Sequence, residues 1–423
     1  MAATRQRVSR LASKTVQNAA ESIIPKEASF SPRTVFVPST SASNVTNFLG
    51  HHHAGLKKMR ESLNNIGLII ECRDLRVPLS SYNPLLESSL AGPERSRIIV
   101  YTKRDLCPSY KKLLGPMRLL EGLKSNLSED VSFDDGPAGP TPSEPRSKLR
   151  ARHTGPGNGA LVLFLGRTDH LSRLIHAVRE VAAARPSLTG LRALVVGMPN
   201  AGKSTLLNKL RSDGMGLPKA ARTGAQPGVT RKLGTPVRII PAASEGAATA
   251  DAPSAGKTAV DGVEAGVYIV DTPGVSIPYI PNAETMLRLA LVGSVRDGRI
   301  HPVELADYLL FQLNLRLGPE AYARYCRPTN DVQVFLEEVG RHIGKLEKGG
   351  APSLEAAADF VVQKFRSGDL GHLMLDDVTE ETVAEAKRAA RSPALSLNQA
   401  KKREKEVRKT KAAAKRAASL AAS

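Results

Sequence analysis

The sequence predicts an α/β domain with a six-stranded, mostly parallel sheet, followed by an all-α domain. Three observations lead to this fold class. Short apolar runs alternate with amphipathic helical stretches through residue 271. One of these runs breaks into a glycine-rich loop and resumes as a helix. Beyond residue 284 the apolar residues recur at helical spacing.

The apolar runs place the individual elements. Strands are predicted at 68–70, 98–101, 161–165, 194–196, 237–240 and 267–270. An amphipathic helix is predicted at 171–184, directly before the fourth strand. The helices of the second domain are predicted at 285–291, 302–315, 319–326, 332–346 and 354–365.

The glycine-rich loop has the sequence Gly197-Met198-Pro199-Asn200-Ala201-Gly202-Lys203-Ser204 and lies between an apolar strand and a helix. The glycines let backbone N–H groups converge on phosphates, and the helix directs its N-terminus at them. Lys203 reaches the terminal phosphates and Ser204 ligates Mg²⁺. The segment is therefore a P-loop, and its predicted nucleotide contacts are Pro199, Asn200, Ala201, Gly202, Lys203, Ser204 and Thr205.

The second strand ends in Thr102-Lys103-Arg104-Asp105, and open α/β sheets bind ligands at the carboxyl ends of their strands. An ionised carboxylate only accepts hydrogen bonds, so Asp105 matches the adjacent N1–H and N2–H₂ donors of guanine, which adenine lacks. Lys103 is predicted to cover the purine face with its stem. A motif this short is weak alone, but beside a P-loop it indicates guanine.

The last strand of the α/β domain ends in Asp271-Thr272-Pro273-Gly274. An acid at the end of a strand beyond the P-loop is positioned to help hold Mg²⁺. We therefore predict Asp271 as a metal-site residue beside Ser204, and Gly274 as part of the switch that senses the terminal phosphate.

The net charge of +19 is concentrated at the two ends of the chain. Residues 1–20 hold four basic residues and no acid, and residues 386–423 hold twelve basic and two acidic residues. This distribution predicts a polyanionic partner, most simply nucleic acid. No apolar run approaches the ~18 residues of a membrane span, so the protein is predicted to be soluble or peripheral. Three separated cysteines indicate neither a disulfide framework nor a zinc site.

Composition also predicts how the chain is divided. The acid-free, Arg-containing N-terminus is typical of a mitochondrial transit peptide, and an ordinary disordered basic segment is the alternative. Two Pro-, Gly- and small-residue-rich stretches, 123–159 and 242–265, are predicted to be disordered insertions. The predicted segments are a targeting or disordered N-terminus at 1–40, the α/β domain at 41–284, the helical domain at 285–380 and a basic tail at 381–423.

The order of the motifs predicts a circular permutation. The base-recognition motif at 102–105 precedes the P-loop at 197–204, whereas an ordinary small GTPase has the P-loop first. The same strands can close the same sheet if the chain is cut and rejoined elsewhere. The α/β domain is therefore predicted to be a circularly permuted P-loop GTPase domain.

Six features together carry a family resemblance: the segment 48–59 around three histidines, 74–80 with Asn83-Pro84, Lys103 with Asp105, the P-loop, 227–230 with 271–274, and 365–371. With them the chain resembles the YlqF/RbgA family of permuted ribosome-assembly GTPases, and most closely its mitochondrial ribosome-associated members. The resemblance spans about residues 45–377. The order of the motifs is highly specific, although each short motif is not.

The resemblance implies further site residues. His51 takes the position of the family's catalytic histidine, with a structural or solvated histidine as the alternative. Thr230 becomes a switch residue that reaches Mg²⁺, and Lys203 acts on the transferring phosphoryl group. Asn200 matches the asparagine of potassium-activated GTPases, which adds K⁺ to the implied cofactors GTP/GDP and Mg²⁺.

Three positions differ from the common pattern. Thr102 replaces the usual asparagine, so a hydroxyl takes the place of one amide contact to the base region. The segment 166–168 lacks the usual Ser-Ala loop that backs the base. Val275 follows Gly274 where many GTPases carry a water-orienting glutamine, and an isopropyl group cannot hold water. Intrinsic turnover is therefore predicted to be slow, and a partner could raise it about 10³- to 10⁵-fold.

The resemblance implies an assembly factor for the mitochondrial large ribosomal subunit that contacts rRNA and regulates mitochondrial translation. Its implied location is the mitochondrial matrix, with peripheral contact to the inner membrane as a variant. Two other functions stay open from the residues: an RNA-binding scaffold whose nucleotide site does not turn over productively, and a P-loop kinase or ATPase. Asp105 and the permuted order disfavour the second.

Overall fold

The computed structural model describes most of the chain between residue 61 and residue 391, and short pieces outside it. The described residues are 30–38, 61, 63–90, 95–125, 161–167, 171–221, 234–242, 265–277, 280, 282–391, 402, 406 and 410. The insertions predicted at 123–159 and 242–265 lie outside these ranges, apart from their first one to three residues and Ala265. Residues 123–125 still belong to a helix.

A six-stranded sheet forms the centre of the first domain. Its strands are β1 (Leu68–Asp74), β2 (Ser96–Thr102), β3 (Leu161–Phe164), β4 (Leu191–Gly197), β5 (Val237–Ile240) and β6 (Val267–Asp271). Their order across the sheet is β3-β2-β1-β4-β6-β5, and only β5 runs antiparallel to its neighbour. All six strands predicted from the sequence are confirmed, as is the mostly parallel sheet.

Helices cover both faces of this sheet, because the central strands are apolar on both sides. The helices are α1 (Pro84–Leu90), α2 (Tyr110–Ser125), α3 (Ser172–Ala184) and α4 (Lys203–Met215). On one face, Leu68 and Val195 pack against α3 and α4. On the other face, the strand residues whose side chains point away from α3 and α4 pack against α1 and α2. The P-loop helix is thereby fixed against the strand that precedes it.

The second domain is helical, as predicted. It contains α5 (Ala283–Leu291), α6 (Pro302–Arg316), α7 (Val332–Ile343) and α8 (Leu354–Ser367). Its apolar core is built around the buried residues Tyr308, Leu309, Phe335 and Val361. Helix α7 ends three residues before the predicted boundary, because Gly344 adopts φ 68° and caps it.

The prediction of a helix at 319–326 is wrong. Only Pro319–Ala321 forms a helical turn, of 3₁₀ type. The hydroxyl of Tyr322 donates a hydrogen bond to Asn314 Oδ1 at 2.7 Å, and its ring is fully buried against Phe335. This anchoring of Tyr322 to α6 favours successive i→i+3 turns over a continuous α-helix.

Two peripheral segments pack more closely than their composition predicts. Residues 30–38 belong to the predicted targeting or disordered N-terminus, yet Phe36 lies edge-on to Tyr308 at 5.0 Å and Arg33 pairs with Asp307 at 2.5 Å. A last helix, α9 (Glu380–Arg391), follows the helical domain. Val383 of this helix joins the apolar cluster that contains Leu113 of α2. The chain thus returns to the first domain after leaving the second.

No helix in the described part of the chain is both long enough and apolar enough to cross a bilayer.

Candidate nucleotide site

The P-loop has the geometry of a phosphate cradle. A side chain at Gly197 would meet the Cys72 carbonyl oxygen at 2.3 Å, and Gly202 adopts φ 86° where it caps the N-terminus of α4. Asn200 also adopts a left-handed conformation, at φ 57°. Only glycine satisfies the first two positions without strain. The backbone therefore turns tightly at the carboxyl end of β4 and presents N–H groups to one side.

Lys203 lies inside this loop and is 6% exposed. Its ammonium donates a hydrogen bond to the Met198 carbonyl oxygen at 2.7 Å. Burial lowers the pKa of Lys203, and the carboxylate of Asp271 opposes that shift. The charge is thus held at the point where the terminal phosphates of a nucleotide would lie.

Asp271 and Ser204 form the predicted Mg²⁺ site. The Ser204 hydroxyl donates a hydrogen bond to Asp271 Oδ2 at 2.7 Å. The second carboxylate oxygen, Oδ1, is buried and has no hydrogen-bond partner among the described residues. A buried carboxylate with one unsatisfied oxygen beside a hydroxyl is a suitable donor set for Mg²⁺, which prefers oxygen ligands. The residues present therefore fit the metal.

The switch segment after Asp271 is packed against the P-loop. A side chain at Gly274 would lie 2.6 Å from Pro199 Cα, so this position requires glycine. The next amide, of Val275, donates a hydrogen bond to the Gly197 carbonyl oxygen at 3.1 Å. The Val275 side chain is 1% exposed and packs in the apolar cluster with Val196. It has no access to a water in the site, in agreement with the sequence prediction.

The base-recognition residues lie at the end of β2. Asp105 is exposed and its Oδ1 accepts a hydrogen bond from the Arg167 amide at 2.8 Å. Gly166 passes so close that a side chain there would contact Asp105 Oδ1 at 3.3 Å. The segment 166–167, which lacks the usual Ser-Ala loop, thus orients the carboxylate through its backbone. Lys103 follows the strand in a left-handed conformation, at φ 59°.

Thr102 makes contacts that the sequence did not predict. Its hydroxyl lies 2.9 Å from the Ala201 carbonyl oxygen and 3.1 Å from the Arg73 carbonyl oxygen. The residue ties the P-loop to the ends of β1 and β2, and its predicted contact to the base region stays a prediction. A hydroxyl on a β-branched side chain is stiff at χ1, so this link is well defined.

Asp74, which ends β1, joins the base-recognition segment to the helical domain. Its carboxylate accepts hydrogen bonds from the Arg76 guanidinium at 2.8 and 3.0 Å and from Lys103 Nζ at 2.8 Å. The Arg76 guanidinium lies 5.5 Å from the centroid of the Phe365 ring of α8. Burial alone would raise the pKa of Asp74, but the two cations hold it well below its usual value.

The helical domain also contacts the P-loop directly. The Asn200 side-chain amide donates a hydrogen bond to the Gly293 carbonyl oxygen at 2.8 Å, and the Ser294 hydroxyl donates one to the Pro199 carbonyl oxygen at 3.1 Å. Arg366 of α8 reinforces this junction with a hydrogen bond to the Leu291 carbonyl oxygen at 3.0 Å. The residues just after α5 therefore sit on the loop that would hold the phosphates.

Comparisons with known proteins place this site in a family. Residues 192–324 match the family described as "50S ribosome-binding GTPase". Mitochondrial GTPase 1 of Schizosaccharomyces japonicus is 34% identical over 343 residues, which cover 80% of this chain and 92% of that protein. The chain belongs to the mitochondrial GTPase 1 family. It is a GTPase, and its first domain is circularly permuted.

Other similar proteins carry related names. Mitochondrial ribosome-associated GTPase 1 of Xenopus tropicalis is 30% identical over 347 residues, covering 78% of this chain and 93% of that protein. The crystal structure of GNP-bound YlqF from T. maritima aligns with a TM-score of 0.42 and 18% identity, covering 76% of this chain and 96% of that one. The 50S-binding GTPase match begins at Arg192, so Lys103 and Asp105 lie upstream of it.

For a member of the mitochondrial GTPase 1 family, the structure brings together most of the residues predicted for the site. The P-loop residues, Asp271 and Gly274 lie at the carboxyl ends of β4 and β6, and Thr102, Lys103 and Asp105 at the end of β2. His51 and Thr230 lie outside the described residues. Their predicted catalytic and metal-binding roles stay predictions.

Sequence reasoning gave no role in the site to Asp74 and Arg76, to the Arg167 amide, or to the contact between Asn200 and Gly293. Asp74 and Arg76 are two charged residues at the end of a buried strand, and that placement was a usable signal. The amide of Arg167 carries no side-chain signal. The contact between Asn200 and Gly293 depends on how two domains dock, which no local pattern encodes.

We expect Asp74→Asn to lower the free energy of unfolding by about 3–5 kcal/mol, because Arg76 would be left buried without a counter-charge. Asp74 and Arg76 are 2% and 1% exposed. Urea denaturation measures the effect. The matched control is Asp297→Asn, which removes the 48% exposed partner of Arg366 and should cost under about 1 kcal/mol. Equal losses in the two variants would contradict the role assigned to Asp74.

The same ion pair predicts a pH dependence. Because the folded-state pKa of Asp74 lies below its ordinary value of 3.8, the charged form stabilises the folded state above that pH. This stabilisation is lost as the pH falls from 3.8 through the folded-state pKa. The difference between wild type and Asp74→Asn should therefore be constant near neutral pH and shrink below about pH 4.

Proposed function

We propose that this GTPase is a Mg²⁺-dependent assembly factor for the mitochondrial large ribosomal subunit. Relatives that share about 30% identity over most of their length are named mitochondrial ribosome-associated GTPase 1. The strongly basic chain ends favour rRNA as the direct partner. The mitochondrial matrix, with peripheral contact to the inner membrane, is the proposed location, and regulation of mitochondrial translation is the proposed consequence.

The observation that carries the proposal is the contact between the P-loop and the helical domain. Asn200 and Pro199, two residues of the nucleotide site, hydrogen-bond directly to Gly293 and Ser294. A nucleotide that reorders this loop would alter the junction with the helical domain, and with it any surface that the domain offers to RNA. The GTP-bound form would then hold the ribosomal partner and hydrolysis would release it.

Ribosome binding that depends on the nucleotide tests this proposal. We expect the protein to co-sediment with mitochondrial large subunits in the presence of a non-hydrolysable GTP analogue, and at least about tenfold less with GDP, which corresponds to about 1.4 kcal/mol of coupling. Small subunits serve as the matched control. Equal binding in the two nucleotide states, or no preference for the large subunit, would contradict the proposal.

The water-orienting group must come from outside the switch, because Val275 is buried in the core. We propose His51 for this role and K⁺, ligated through Asn200, as a second source of positive charge. Subunit-stimulated turnover should fall about 10²-fold or more in His51→Ala, with His52→Ala as the matched control. It should also fall when Na⁺ replaces K⁺, and Asn200→Ala should remove that difference. Unchanged stimulated turnover in His51→Ala would exclude the role of His51, and unchanged turnover in Na⁺ would exclude the role of K⁺.

A further inference from the structure

A cleft opens at the end of the sheet opposite the nucleotide site. Its volume is about 560 Å³, and it is lined by the segment 63–67 before β1, by Arg95 before β2, and by 185–187 and 189–192, which run from the end of α3 into the start of β4. The P-loop begins at the other end of β4. A strand rises about 3.3 Å per residue, so the two ends of β4 are about 20 Å apart. We call this feature the basic cleft.

Three arginines, Arg95, Arg185 and Arg192, line the basic cleft. Arg192 is exposed, and the other two are half-buried. None of the described residues that form the walls is acidic, and the polar side chains among them include Asn64 and Asn65. Guanidinium groups bind phosphate oxygens through paired N–H donors, and asparagine amides also donate to phosphate and sugar oxygens.

The walls of the basic cleft are fixed by backbone hydrogen bonds. The Gly67 amide donates to the Arg192 carbonyl oxygen at 3.0 Å, and the Ser96 amide donates to the Gly67 carbonyl oxygen at 3.1 Å. Arg95 Nε donates to the Leu63 carbonyl oxygen at 3.3 Å, which orients its guanidinium. The starts of β1, β2 and β4 thus hold the backbone of Arg192 and the guanidinium of Arg95 in place before any ligand binds, and this reduces the entropy cost of binding.

We propose that the basic cleft binds the phosphate backbone of RNA. A cleft lined by arginines and amides without an acid favours a polyanion over a neutral or cationic ligand. The open, polar shape suits a backbone that passes across it better than an enclosed small molecule. The net charge of the chain, +19, raises the concentration of RNA near the protein. This contact lies outside the helical domain and basic tail on which the proposed function depends.

The test uses the full chain and a labelled, mixed-sequence RNA hairpin over a series of salt concentrations. Arg185→Gln/Arg192→Gln should weaken binding about tenfold at 0.1 M salt and reduce the slope of log K against log salt by about 1.5, because two phosphate contacts are lost. The matched control is Lys111→Gln/Arg118→Gln, which removes two exposed charges from α2. The affinity for GTP should be unchanged in both variants, which shows that β4 and its P-loop remain intact.

Three outcomes would overturn the assignment. The first is an equal affinity and slope for the cleft variant and its control. In the second outcome, inorganic phosphate raises the thermal stability of the wild type but not of the cleft variant, while the two proteins bind RNA equally. That result indicates that the cleft binds a free phosphate compound. The third is weaker binding of the cleft variant to intact large subunits with unchanged binding to the hairpin, which indicates an acidic protein. If the wild type co-sediments with large subunits equally in both nucleotide states, the proposed function is overturned, but the RNA-binding test of the cleft remains valid.

Discussion

Lys203→Met is expected to reduce GTP turnover at least about 10³-fold, because it removes the P-loop ammonium that would stabilise the charge developing on the transferring phosphoryl group. Lys203 lies within the P-loop and hydrogen-bonds to the Met198 carbonyl oxygen. Methionine keeps an unbranched side chain of nearly the length of the lysine stem and removes the ammonium, so the loss reports mainly the charge. Single-turnover hydrolysis of radiolabelled GTP measures the effect.

The control for this prediction is Lys219→Met, which makes the same substitution at an exposed position after α4. Its turnover should equal that of the wild type. Thermal unfolding of Lys203→Met should also remain close to the wild-type value, because burial of an ammonium is costly and its removal offsets the lost hydrogen bond. Turnover within tenfold of the wild type would remove Lys203 from the catalytic site.

Asp105→Asn is expected to weaken GTP binding about 10²-fold or more and to improve the binding of xanthosine triphosphate. The carboxylate offers two acceptors to the two donors of guanine, whereas an asparagine amide offers one acceptor and one donor. Xanthine presents one donor and one carbonyl acceptor in the same places, so it matches the amide. Asp105 Oδ1 already accepts the Arg167 amide, and an asparagine oxygen can keep that bond.

Equilibrium binding of labelled GTP and xanthosine triphosphate measures this change in specificity. The control is Asp213→Asn at an exposed position of α4, which should leave both affinities unchanged. If Asp105→Asn keeps the wild-type preference for GTP, another residue reads the base. Lys103 cannot be that residue, because an ammonium has no acceptor to offer the guanine donors.

The strands were predictable because each is a short apolar run that ends in polar or turn residues. The run before the P-loop, Leu194 to Val196, is fully buried in the structure. Buried parallel strands are covered on both faces, so they read as continuous apolar runs. The phosphate and metal residues were predictable for a related reason, since Lys203 and Ser204 follow the loop after β4 and Asp271 ends β6, at the carboxyl ends of neighbouring strands.

Contacts that depend on docking were not predictable from local patterns. Phe36 belongs to a short segment of mixed polarity, and only the groove beside Tyr308 gives it an apolar partner. Tyr322 lies in a stretch with good helical propensity, yet its hydroxyl is held by Asn314. The link from Lys103 through Asp74 to Arg76 joins residues that are adjacent in space but follow two different strands.

The most direct test of the whole account is GTP turnover by protein that lacks the first 20 residues, in K⁺ buffer, with and without mitochondrial large subunits. The account predicts slow turnover alone, because Val275 cannot orient water, and an increase on the order of 10³-fold or more with large subunits that Lys203→Met abolishes. Tight GTP binding with no turnover under either condition would contradict it.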